Sequence, residues 1–131
     1  MTTTEQPTIE RIMGATAEIK SRIQANMKGL NRATWELIIM VTSEQFGVTP
    51  VELMGRRRPQ EVADARQTAM AQTRKRIRMS TPRIGQMFDR DHGTILHAIA
   101  AVQSKRETDP RFRAKVEAVE RELDRVLNGQ A

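Results

Sequence analysis

A chain of 131 residues, 38% hydrophobic and 29% charged, has the material for one compact core, and it carries a net charge of +6. The lack of cysteine excludes disulfides, cysteine-ligated zinc and thiol catalysis, and two histidines with no carboxylate cluster beside them leave no metal or cofactor to expect. Apolar runs such as 37–41 are too short to span a bilayer, and the acidic, threonine-rich start is unlike a signal peptide, so a cytoplasmic protein with no membrane partner is predicted.

With an aromatic content of 3% and no convincing period-two window, the pattern predicts an all-α protein of about six helices. Residues 8–28 place Ile9, Ile12, Ile19, Ile23 and Met27 on one loose apolar stripe, and Gly29 with Asn31 predicts its end. From Ala33, residues Trp35, Ile38, Ile39, Thr42 and Phe46 recur at helical spacing, and Gly47 suits a C-terminal stop because it accepts a left-handed backbone. Thr49-Pro50-Val51-Glu52 then reads as a capping box with proline in the first turn, opening a short helix that Gly55 ends.

After Arg56-Arg57-Arg58-Pro59, a long helix from Glu61 to about Ile77 is predicted to bury Val62, Ala65, Ala69, Met70, Thr73 and Ile77. Thr81-Pro82 reads as cap plus first helical residue of a short helix with Ile84, Met87 and Phe88 inward. The turn Asp89-Arg90-Asp91 follows, then a helix from His92 to about Ser104 with Ile95, Ala98, Ile99 and Val102 facing the core. Asp109-Pro110 starts a last helix whose Phe112, Val116, Val119, Leu123 and Val126 form one amphipathic face. That face can fold back on the domain, pair with the Ile9 to Met27 stripe, or form a homodimer.

Short helix, tight turn, helix is the helix-turn-helix pattern, with the N-terminal residues of the second member aimed at base edges. The basic charge lies around it. Between Arg56 and Arg90 there are ten Lys/Arg against three acids, a local +7, which predicts a polyanionic partner. His92 and Thr94 can offer hydrogen bonds or methyl contacts to bases, while Asp91 can accept from a cytosine amino group, orient Arg90, or cap the helix. Three arginines in a row are often only a solvated loop; beside a helix-turn-helix, Arg56, Arg57 and Arg58 are placed to enter a minor groove. Of the cluster Arg74, Lys75, Arg76 and Arg78, closely spaced residues cannot all face one surface, and Arg74 is the first choice for DNA. The histidines lack a nucleophile or paired carboxylate, so no enzyme is predicted.

The run Arg90-Asp91-His92-x-Thr94-Ile95-Leu96-His97-Ala98, preceded by Val62-Ala63 and Ala65-Arg66-Gln67-Thr68-Ala69-Met70, resembles the C-terminal DNA-binding domain of the bacterial replication initiator DnaA. The likeness also takes in Phe46-Gly47-Val48, the arginine run and Pro82-x-Ile84-Gly85-x-x-Phe88, and so covers roughly residues 33–102. The resulting division is an N-terminal helical extension at 1–32, a DnaA-like domain at 33–104 and a C-terminal amphipathic helix at 105–131. The resemblance implies recognition of a short asymmetric site in double-stranded DNA. Arg58 would be the minor-groove arginine, Arg66 and Arg74 would hold phosphates or neighbouring base edges, and Pro82 would touch DNA at the first helix. Asp91, His92 and Thr94 would read the major groove, with His97 near the backbone.

This chain departs from that family in three ways. Gly93 stands where the family usually has a threonine that helps read bases. The turn before Arg90 is one residue shorter than in the typical initiator, where glycines precede the arginine. No Gly-x-x-x-x-Gly-Lys-Ser/Thr loop occurs in the 131 residues, which predicts site binding without a nucleotide-driven filament. The function expected is sequence-specific regulation of transcription or replication. The alternative is an adaptor that binds the replication or transcription machinery, with only weak non-specific DNA binding.

Overall fold

The computed structural model describes residues 17–129, with side chains from residue 29 onward. These residues form six helices and no strand: α1 (Ala17–Phe46), α2 (Pro50–Met54), α3 (Gln60–Arg76), α4 (Thr81–Phe88), α5 (His92–Thr108) and α6 (Pro110–Leu127). The all-α expectation holds. The chain divides into two units between Ala33 and Thr34, so α1 begins in the first and ends in the second. No helix among the described residues is long and apolar enough to cross a membrane.

The predicted break at Gly29 and Asn31 is not there, because α1 runs through both. A helical glycine costs only about 1 kcal/mol relative to alanine, and Ala25, Met27, Lys28, Leu30 and Arg32 around it favour the helix. Residues 8–16 of the predicted first helix, and the side chains of the Ile9 to Met27 stripe, lie outside the described residues. At its far end α1 stops as its sequence predicts. Gly47 adopts φ +70, and Val48 N donates to Ser43 O at 3.0 Å, closing the last turn.

The short α2 owes its start to the capping box. Thr49 Oγ1 accepts from Glu52 N at 3.1 Å, and Glu52 Oε1 accepts from Thr49 N at 2.9 Å. Two boundaries differ from the prediction. Ser80, rather than Thr81, caps α4, which moves Pro82 to the second helical position. Helix α5 extends to Thr108, beyond Ser104, and its last turn carries Lys105 and Arg106, cations that suit the negative end of a helix. Asp109 then ends α5 and caps α6, its Oδ1 accepting from Arg111 N and Phe112 N at 3.1 Å each.

The second unit has one core, to which α1, α2, α3, α4, α5 and α6 all contribute. Ile38 and Phe46 of α1, Leu53 of α2, Met70 of α3, Ile84 and Phe88 of α4, and Ile95 of α5 are buried in it. Trp35 packs edge-on against Phe88, with ring centroids 5.8 Å apart. Helix α6 turns Phe112, Val116, Val119 and Leu123 into the same core, so its amphipathic face folds back on the body. Each such side chain contributes about 1.5–3 kcal/mol by leaving water. Val126, predicted as part of that face, is 42% exposed because it lies in the last turn, past the edge of the core.

A polar seam reinforces α6. The Glu120 carboxylate accepts from Arg106 Nη2 at 2.6 Å, and from Gln72 Nε2 and Lys75 Nζ at 3.0 Å each. Next to it, Arg76 Nη1 donates to Asp124 Oδ1 at 2.8 Å. Burial pushes the Glu120 pKa up, but the hydrogen bonds from Arg106, Gln72 and Lys75 outweigh it and bring the pKa from the usual 4.5 to about 2. A carboxylate depressed on folding contributes stability that is full above pH 4.5 and is lost as the pH falls toward 2. Glu120→Gln is expected to cost about 1.5–3 kcal/mol at neutral pH. It should also flatten the acid limb of a denaturant-measured stability profile; if wild type and variant decline in parallel on acidification, Glu120 is not the hub of this seam.

Candidate nucleic-acid interface

Helices α4 and α5 meet at a turn whose tightness comes from Gly85. A Cβ built on Gly85 would lie 2.4 Å from the Arg90 carbonyl oxygen, so the two backbones could not approach as they do with any larger residue. Across the contact, Arg90 N donates to Gly85 O at 2.8 Å. Asp89 takes the left-handed conformation, φ 56 and ψ 48, which lets the chain reverse without a glycine; aspartate is among the residues that tolerate this region.

Asp91 then caps α5. Its Oδ1 accepts from Thr94 N at 2.8 Å and from Thr94 Oγ1 at 3.0 Å, and these bonds hold its carboxyl below the usual carboxylate range. The cap fixes Thr94 as well. Its hydroxyl donates to Asp91, and the residue as a whole is exposed. Buried Ile95 and Ala98 seat the helix, while His92, Gly93, Thr94, Leu96 and His97 are exposed. Thr94 and His97 also border a hollow of about 160 Å³ between α3 and α5, shared with Gln67 and Arg66.

The arginines fall into two groups. Arg66 lies across the end of α2, its Nε donating to Leu53 O at 2.8 Å and its Nη2 to Glu52 O at 3.1 Å. Arg90 turns inward, its Nη1 donating to Phe88 O at 2.8 Å and its Nη2 to Gly55 O at 2.6 Å. Partial burial lowers the pKa of both, with Arg90 and Arg56 adding repulsion at Arg66, and Arg56 at Arg90. Each guanidinium satisfies carbonyls that a helix end would otherwise leave open. Arg56 donates to the carbonyl of Asp89 at 2.9 Å, and Arg57 sits 3.7 Å from a Glu52 carboxylate oxygen.

The other group is uncommitted. Arg58 and Arg74 are exposed and make no hydrogen bond or ion pair with the described residues, in contrast to Lys75 and Arg76, which turn toward α6. Pro82 is exposed on the first turn of α4. Of the residues singled out in the sequence, then, Asp91, His92, Thr94 and His97 come together on the start of α5, and Arg58 and Arg74 project as free cations. Arg66 and Arg90 are engaged with backbone carbonyls. No group of three or more His, Asp or Glu side chains with the makings of a metal site occurs among the described residues.

Comparison with known proteins gives this arrangement a family. The model for the bacterial dnaA protein helix-turn-helix matches residues 35–102. The chromosomal replication initiator protein DnaA of a Caulobacter species is 33% identical over 108 residues, 81% of this chain and 22% of the relative. That of Thermus thermophilus is 47% identical over 73 residues, 55% of this chain and 17% of the relative. A DnaA of Chlamydia trachomatis is 36% identical over 80 residues, 61% of this chain and 18% of the relative. The chain thus spans about a fifth of the length of the relatives it matches.

In the sequence Gly85 figures only as part of the Pro82-x-Ile84-Gly85-x-x-Phe88 likeness and is given no role, although a glycine inside a helical pattern costs about 1 kcal/mol and so hints at a packing reason. It is the opposite case to Gly93, where a Cβ would meet only the Asp91 carboxylate, at 3.4 Å. Gly85→Ala is therefore expected to destabilise by about 1–3 kcal/mol through overpacking. Gly93→Ala should stabilise by up to about 1 kcal/mol through helix propensity. Thermal unfolding of the two variants checks the contrast, and shifts of the same sign would contradict the turn geometry.

Proposed function

Because the chain belongs to the bacterial DnaA helix-turn-helix family, we propose that it binds double-stranded DNA sequence-specifically and regulates transcription or replication in the bacterial or phage setting where that DNA lies, the cytoplasmic nucleoid. The observation that carries this reading is the exposed first turns of α5, with His92, Thr94 and His97 open to solvent, in a chain whose Arg58 and Arg74 are exposed and without partners among the described residues. In this reading the start of α5 enters the major groove and the arginine loop lies in the adjoining minor groove, whose negative potential favours Arg58. Asp91 both caps α5 and presents its outer carboxylate oxygen as an acceptor for a cytosine amino group. Pro82 and the start of α4 approach the phosphate backbone.

Arg66 and Arg90 act from behind, as residues that position the interface. Gly93 leaves a gap in the base-reading surface, so the preferred site differs from that of relatives with a side chain there. No reaction is assigned to the chain. A second reading, an adaptor that docks on the replication or transcription machinery or on another copy of this chain, draws on Met40, 62% exposed beside Trp35.

The division of roles separates the variants. Arg74→Ala is expected to weaken binding to every duplex alike and to reduce the slope of log affinity against log salt by about 1. His92→Ala or Thr94→Ala should cost about 1–3 kcal/mol on the preferred duplex and little on a random one. Equilibrium titrations at several salt concentrations read both effects. If all three variants behave alike, the proposed division is wrong.

A further inference from the structure

The arginine loop and the turn between α4 and α5 hold each other from both sides. From the loop, Arg56 Nη2 donates to Asp89 O at 2.9 Å and to Asp89 Oδ2 at 3.0 Å. From the turn, Arg90 Nη2 donates to Gly55 O at 2.6 Å while Nη1 donates to Phe88 O at 2.8 Å. These partners lie 33 and 35 residues apart in the chain. We infer that this reciprocal clasp, with Arg90 as its principal positioning residue, sets the register between Arg58 and the exposed start of α5. The inference rests on the DNA-binding reading above and states how that interface is held ready.

The two halves of the clasp are unequal. The Arg56–Asp89 pair is open to solvent, with side-chain exposures of 68% and 93%, and exposed pairs of this kind add little. Arg90 is partly buried, and its planar fork reaches carbonyls of two separate elements at once, a geometry that a lysine ammonium on its flexible stem does not reproduce. Behind it, Arg66 holds the carbonyls of Glu52 and Leu53, so the end of α2 from which the loop departs is itself tied to α3.

Arg58 follows Gly55 by three residues. Its Cα is therefore fixed close to the clasp while its side chain stays free. A loop bearing a groove-binding arginine otherwise loses conformational freedom when it binds, and that loss weakens the complex; a loop ordered beforehand avoids it. The contribution of Arg58 is thereby made conditional on Arg90, although Arg90 donates to Phe88 O and Gly55 O and not to Arg58.

The test is a double-variant cycle on the full chain, with a duplex recovered by selection from random sequences as the probe. Arg58→Ala alone is expected to weaken binding about tenfold or more. Arg90→Lys should still melt cooperatively yet bind more weakly, and in its background Arg58→Ala should cost less than roughly threefold further. Costs for Arg58→Ala that agree within roughly twofold in the two backgrounds would overturn the clasp. A second readout needs no DNA: amide order parameters at Arg57 and Arg58 of about 0.85 in wild type, falling below about 0.6 in Arg90→Lys. Values already low in wild type, or unchanged in the variant, overturn it too. Should Arg90→Lys fail to fold, Arg56→Gln on the exposed half takes its place, with the same coupling expected at smaller size and additivity again contradicting it. A wild-type chain that selects no duplex sinks the DNA reading, and the order parameters still decide whether the clasp exists.

Discussion

Gly85 and the Arg90 backbone approach so closely that no Cβ fits between them, and the geometry of the interface depends on that contact. The approach places the Arg90 amide on the Gly85 carbonyl, and this sets the path of the turn. Asp89 completes the reversal in the left-handed region, Arg90 is then aimed back at Gly55, and Asp91 is left in extended conformation to cap α5. Each step follows from the one before. A bulkier residue at 85 would open the angle between α4 and α5 and move His92, Thr94 and His97 relative to the arginine loop.

Around this turn the positive charge is sorted by partner. Carbonyls at the end of α2 and in the turn take Arg66 and Arg90, the acidic face of α6 takes Lys75, Arg76 and Arg106, and the exposed side chains of Arg58, Arg74, Arg78 and Arg83 make no hydrogen bond or ion pair with the described residues. The C-terminal helix lies beyond the matched segment of the family, residues 35–102, yet it does two things for that segment. It closes the core with Phe112, Val116, Val119 and Leu123, and its Glu120 and Asp124 pair with Lys75 and Arg76 of α3. A strong local positive balance in a sequence therefore overstates how many cations face a polyanion, because some of them are internal hydrogen-bond donors.

What was legible in the sequence is what rests on local chemistry. The Thr49–Glu52 capping box, the Asp91 and Asp109 caps and the Gly47 stop are where the sequence places them, since each needs partners only a few residues away. Helical periodicity likewise identified the buried faces of α3 and α5. The inward turn of Arg66 and Arg90 was not legible, because their acceptors lie 13 and 35 residues off in the chain. Neither was the continuity of α1: Gly29 with Asn31 two residues on reads as a break, and the modest cost of one helical glycine does not enforce it. The seat of α6 was one of three open possibilities, and its Glu120 seam depends on Gln72 and Lys75, far upstream.

In the proposed function the start of α5 reads bases while free arginines supply the general attraction. Selection from a pool of random duplexes at near-physiological salt, with competitor DNA present and the retained fraction sequenced, tests it most directly. Enrichment of one asymmetric motif is expected, retained when the salt is raised enough to release random duplexes. Retention with no enriched motif, vanishing uniformly as salt rises, would contradict it.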